Sequence, residues 1–185
     1  MLAAAAAQPD RLVVGVDANA AAMATASRWA AARPARGGLP NALFVVAAAE
    51  ALPAELDGVA DLVTVHFPWG SLLRGLLGAD PATMTGLTRV LRPGGTLELL
   101  VSSTVRDHSV GVPPIRTATL HALAASYATW GLAVTQLRPA TVADVTAAHS
   151  TWAKRLGAGT LRPAWLLRAQ LAPAGCRRAP VRSST

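Results

Sequence analysis

A chain of 185 residues, 52% of them hydrophobic, is long enough to bury a sizeable core as one domain. It lacks the uninterrupted apolar run of roughly 18 residues that marks a membrane span, and its single cysteine, Cys176, excludes a disulfide framework and a cysteine-rich zinc site. Lys and Arg outnumber Asp and Glu by 17 to 10, and the net charge of +7 favours a polyanionic partner over an acidic-protein role. Nearly all of that positive charge is arginine, whose fork suits phosphate, and Lys154 is the one lysine. No metal site is expected.

The opening, "MLAAAAAQPD", has no basic leader and too short an apolar stretch for a secretion signal, so a cytoplasmic protein is expected. "RLVVGVD", 11 to 17, reads as a buried strand ending in an acid. "ANAAAMATASRWAAAR", 18 to 33, has helix-favouring composition, and "PARGGLPN" is a loop by its Pro and Gly content. "ALFVVAAAE", 42 to 50, is a second strand closed by an acid, and "DLVTVHF" a third. "SLLRGLL" and "DPATMTGLTRVL" predict helices, the second capped by Asp80 with Pro81 in first position. "RPGG", 92 to 95, predicts a tight turn before the strand "TLELLVSST". "TATLHALAASYATWGL" predicts a helix, "AVTQLRP" a strand, "TVADVTAAHSTWAKRL" a helix capped by Thr141, and "AWLLRAQL" a last strand. The Arg/Pro/Ser-rich tail, 172 to 185, predicts disorder after a single domain over 1 to 171.

Strands alternating with helices predict an α/β fold with a mostly parallel sheet. Such sheets bind ligands beyond the carboxyl ends of their strands. Asp17, Glu50 and the stretch Phe67-Pro68-Trp69-Gly70 all stand at such ends. Asp17 suits either a pair of ribose hydroxyls or the cap of the next helix. Glu50 suits either an adenine edge or solvent. The two acids at successive strand ends together favour a cleft for a nucleoside-type cofactor.

Trp29, Trp130 and Trp165 read as packing residues. Trp69 differs, because it follows a proline and precedes a glycine at a strand end. Trp152 differs too: in "HSTWAKRL" it is followed closely by Lys154 and Arg155, with Arg162 further on. An aromatic beside a basic cluster can stack a splayed-out base and hold its phosphates. The apolar face of an amphipathic helix with Val145 and Leu156 is the other reading of Trp152. His66 and His149 read as structural.

"GVDANAAAM", "PARGGLPNALFVVAAAEALP", "FPWGSLLRGLL" and "HSTWAKRL" together resemble the aminoglycoside-resistance 16S rRNA adenine-N1 methyltransferases of Kam and Npm type. The resemblance implies a class I, Rossmann-like fold of seven strands and a monomer that uses S-adenosyl-L-methionine. It implies methyl transfer to N1 of the decoding-site adenine in the 30S ribosomal subunit, with resistance to aminoglycosides. Residue by residue, it assigns Asp17 to the cofactor ribose, Ala49 and Glu50 to the adenine ring, and Ser150 to the pocket lining. Phe67 and Pro68 match the segment whose backbone lines the catalytic pocket. Trp69 and Trp152 match the pair that sandwiches the flipped adenine, and Lys154, Arg155 and Arg162 match positions that grip rRNA. Thr160 stands where the family has a further arginine. The family's first strand and Gly-rich turn have no counterpart before Asp17, so the chain as written is expected to bind the cofactor poorly. A small-molecule methyltransferase and an inactive remnant are the competing readings.

Overall fold

Apolar, β-branched runs become strands and the Ala- and Leu-rich runs between them become helices. The computed structural model describes residues 1–102, 115–149 and 162–173, which form two units, Met1–Pro53 and the chain from Ala54 onward.

The first unit contains α1 (Leu2–Ala7), β1 (Val13–Asp17), α2 (Ala20–Ala30) and β2 (Ala42–Val46). The two strands pair in parallel, from Val13 opposite Ala42 to Asp17 opposite Val46. The α1–β1 connection is held by one side chain: the Asn41 amide donates to the carbonyls of Ala5, Gln8 and Arg11 at 2.9, 3.0 and 2.9 Å. An amide group has two hydrogens, so one of them is shared between two of these acceptors. The predicted helix from 18 to 33 is shorter at both ends. It starts after Asn19, whose side chain accepts from the backbone N–H groups of Ala21 and Ala22, and it stops at Ala30, four residues before Pro34.

The second unit contains β3 (Ala60–His66), α3 (Gly70–Gly78), α4 (Pro81–Val90), β4 (Leu91–Val101), α5 (Thr117–Ala128), β5 (Leu132–Pro139), α6 (Val142–Ala147) and β6 (Trp165–Leu171). Its sheet has the order β3-β4-β6-β5. The β3–β4 pair is parallel, whereas β6 runs antiparallel to both β4 and β5. The described residues form six strands, two in the first unit and four in the second. The "RPGG" stretch is not a separate turn. It lies inside β4, where a register irregularity against β3 absorbs it and Gly94 takes φ 77°.

Along β4 and β6 the side chains alternate between two surfaces. One surface carries Leu97, Leu99, Val101, Leu167, Ala169 and Leu171, each at most 2% exposed. The helices supply Leu73, Leu76, Met84, Leu120 and Tyr127, equally buried. The Tyr127 hydroxyl donates to the Leu76 carbonyl at 3.0 Å, joining α5 to α3. Burial pushes the Tyr127 phenol above its ordinary value, so it stays a donor. The opposite surface is polar near the middle of the strands, where Glu98 pairs with Arg168, and becomes apolar at Leu100 and Leu166. Among the described residues no helix is long and apolar enough to cross a membrane.

Helices α3 and α4 meet at Gly75. A Cβ there would run into the hydroxyl of Thr83, a buried residue hydrogen-bonded to the α4 cap Asp80. Gly75→Ala is expected to destabilise the chain by about 1–3 kcal/mol, the usual cost of overpacking, read by urea unfolding. An unchanged midpoint would show that the two helices separate freely.

Candidate functional site

In the first unit, parallel pairing brings the two strand-end acids to the same end of the sheet. Asp17 closes β1, and its carbonyl accepts from the N–H of Ala47, just beyond β2. Ala49 and Glu50 follow at once, in a single 3₁₀ turn over Ala49–Ala51. Ala49 is half-buried and Glu50 exposed.

Asp17 does not cap the helix. Asn19 does, and Asp17 Oδ1 accepts from the Asn19 N–H at 2.8 Å. That bond orients the carboxylate at the strand end and leaves Oδ2 without a protein partner among the described residues. "DAN" carried a signal for this division of labour, because Asn is a strong N-cap in its own right.

The same unit holds a group the residue pattern did not single out. From Ala18 to Ala49 there is no acid, while Arg28, Arg33 and Arg36 are all exposed. Trp29, read as packing, is 47% exposed among them. Trp130 and Trp165 in the second unit, expected in the core, are part-buried.

In the second unit, β3 ends in a strained turn. Phe67 has φ 52°, a left-handed conformation that a bulky residue adopts only under constraint. Two contacts supply the constraint. Its N–H still donates to the Leu100 carbonyl at 2.7 Å, extending the strand ladder by one residue. Its ring is buried with Leu100, Ala164 and Leu166, against Val145 and Ala148 of the α6 segment. Pro68 is buried next to it. Trp69 then turns outward in an extended conformation and is 72% exposed, at the N-terminus of α3. Gly70, φ 63°, lets the helix begin directly behind it.

His66 lies beneath this turn. Burial lowers its pKa, against the pull of the Glu98 carboxylate, whose Oε1 is 3.7 Å from Nε2.

The predicted helix from 141 to 156 is described only to Ala147, with its turn closing at His149, φ 47°. Ser150, Trp152, Lys154, Arg155 and Thr160 lie outside the described residues, as does the tail from 174. Arg162 is part-buried and precedes β6. Among the described residues no group of His, Cys, Asp and Glu could hold a metal ion.

The family model described as NpmA, 16S rRNA (adenine(1408)-N(1))-methyltransferase, matches residues 1–171. The chain belongs to this family. It is 47% identical over 107 residues to the 16S rRNA (adenine(1408)-N(1))-methyltransferase of Streptoalloteichus tenebrarius, a match covering 58% of this chain and 48% of that one. It is 42% identical over 134 residues to the protein of the same name from Streptoalloteichus hindustanus, covering 69% and 60%. The chain thus spans about half of the first relative and 60% of the second. A solved methyltransferase of that name from Catenulisporales acidiphilia, an alanine mutant of a tryptophan with cosubstrate SAM, superposes with TM-score 0.84 at 33% identity, over 96% of this chain and 82% of that one. The 16S rRNA methyltransferase KamB superposes with TM-score 0.80 at 34% identity, over 93% and 82%.

In an α/β sheet, the ends of the strands are where a nucleoside-type ligand would bind. The open oxygen of Asp17 suits a ribose hydroxyl, and the backbone of the Ala49–Ala51 turn suits an adenine edge.

The α6 segment that covers Phe67 is anchored by Asp144. Its carboxylate accepts two prongs from Arg138, at 2.6 and 2.9 Å, and the N–H and hydroxyl of Thr141, at 2.6 and 2.7 Å. Arg138 and then Thr141 hold this carboxyl far below the usual carboxylate range. A depressed folded-state pKa contributes stability that is complete above the unfolded value and lost as pH falls through the folded one. Asp144→Ala is therefore expected to lower Tm at neutral pH by about 2–4 °C, one cap's worth. The gap to the parent should narrow in acid, below about pH 4. Calorimetry showing the same gap at pH 7 and pH 2 would rule this anchor out.

Proposed function

We propose that this protein is an S-adenosylmethionine-dependent methyltransferase that modifies N1 of adenine 1408 of 16S rRNA, acting as a cytoplasmic monomer on the 30S subunit and conferring aminoglycoside resistance. Family membership supports the reaction class. The observation that carries the substrate is Trp69, a large apolar surface held outward by a strained and buried turn. A small-molecule pocket would cover such a ring, whereas a base brought out of its helix needs an open face to stack on.

S-adenosylmethionine supplies an electrophilic methyl group, and adenine N1 supplies the lone pair that takes it. The protein's residues hold and orient. Asp17 receives ribose hydroxyls of the cofactor, Ala49 and Glu50 its adenine, and Ser150 lines the pocket. Trp69 is one wall against the substrate base and Trp152 the other, each stacking contact being worth about 1–3 kcal/mol. The backbone carbonyls of Phe67 and Pro68 accept from the exocyclic amine and so aim N1. No side chain has to remove a proton before the methyl moves, so alignment supplies most of the rate. Lys154, Arg155 and Arg162 hold rRNA phosphates. The exposed arginines Arg28, Arg33 and Arg36 add charge for the same polyanion, and their contribution falls with salt.

Two variants test the assignment. Trp69→Ala is expected to reduce methylation of purified 30S subunits by about 5- to 150-fold, the loss of one stacking contact. Undiminished methylation would remove Trp69 from the site. Asp17→Ala should weaken the already poor cofactor binding expected of the parent by about a further tenfold, the usual loss for a hydrogen bond to a charged group, read by calorimetry at high cofactor concentration. Equal affinity in the two proteins would place the ribose elsewhere.

A further inference from the structure

Two strained turns meet at the Phe67 cluster, and one side chain adjoins the first of them. Phe67 and His149 are non-glycine residues with left-handed backbones, φ 52° and 47°. Each such residue costs about 1–2 kcal/mol and needs its surroundings to hold it. His66 immediately precedes the first turn. Ala148 immediately precedes the second, and it packs against the cluster that buries the Phe67 ring. From β4 the Glu98 carboxylate faces the same ring at 3.7 Å, itself held by Arg168 at 2.7 Å. The ring nitrogen Nε2 is buried and makes no hydrogen bond in the described residues. A buried polar atom in that condition is uncommon and calls for an explanation. Packing alone would be served by leucine, which carries no such cost.

We propose that His66 is a positioning residue for base stacking. Its imidazole, held beside the Glu98 carboxylate, fixes the end of β3 directly before the Phe67 cluster on which Ala148 packs, and so sets the angle at which Trp69 is presented. The proposal rests on the reading of Trp69 as a stacking wall. It adds a residue that acts through Phe67 and touches no substrate.

The test compares His66→Leu and His66→Gln with the parent, using 30S methylation kinetics and, separately, the indole N–H resonance of Trp69 and the amide resonance of His149 in the protein alone. His66→Leu should lower kcat about tenfold, as small misplacements of a reacting group do, with the KM for the methyl donor unchanged. Both resonances should shift. His66→Gln keeps a donor at similar reach and should restore most of the rate and the parental resonances. Parental kcat and resonances in His66→Leu would overturn the proposal, and so would a glutamine variant as impaired as the leucine one. Should His66→Leu fail to fold, Glu98→Gln, which keeps the shape and weakens the acceptor, should shift the same two resonances; unmoved resonances overturn it. A parent that does not methylate 30S subunits defeats the functional reading, while the resonances still decide the role of His66.

Discussion

The candidate base-binding surface depends on the burial of one ring in a backbone that resists it. Phe67 is left-handed, and a free chain would relax out of that conformation. It cannot relax here, because its N–H is committed to Leu100 and its ring to Leu100, Ala164 and Leu166. Burying a phenylalanine ring stabilises by about 1.5–3 kcal/mol, enough to offset the backbone term. With Phe67 and Pro68 turned inward, Trp69 must face outward, and Gly70 starts the helix behind it. The exposure of the tryptophan is a by-product of the burial of its neighbours.

The same cluster explains why a distant part of the chain matters. β6 supplies Leu166, and Ala164 just before it; α6 supplies Val145 and its end Ala148. These segments come from far along the sequence, and β6 reaches the cluster because it inserts antiparallel between β4 and β5. Asp144 then pins α6 to β5 through Arg138. Removing any of these pieces loosens the constraint on Phe67 before it touches Trp69.

In the first unit the logic is simpler. Parallel pairing in register puts the ends of β1 and β2 side by side, so two acids 33 residues apart in the sequence come to the same end of the sheet. Their strand-end positions were legible because apolar runs stop where the acids begin. The cap was less so: Asp17 and Asn19 are both good caps two residues apart, and only the hydrogen bonds separate their roles. Composition showed the arginines, but not that Arg28, Arg33 and Arg36 and the Trp29 ring all face solvent. The "RPGG" stretch misled for a related reason. Pro and Gly favour turns locally, yet the pairs Leu91–Ala60 and Thr96–Leu62 on either side keep the stretch inside β4 as a bulge.

By itself the sequence determined the alternation of strands and helices, the caps at Asp80 and Thr141, the strand-end candidates and, through its motifs, the family. These are local properties, set by hydrophobic period, turn residues and side chains that reach two or three positions along the chain. Tertiary structure alone decided the antiparallel place of β6, the left-handed turn at Phe67, the outward aim of Trp69 and the position of His66 beside Glu98. Each of these is the outcome of competition between a local preference and burial against residues distant in sequence. That balance exists only once the sheet has formed.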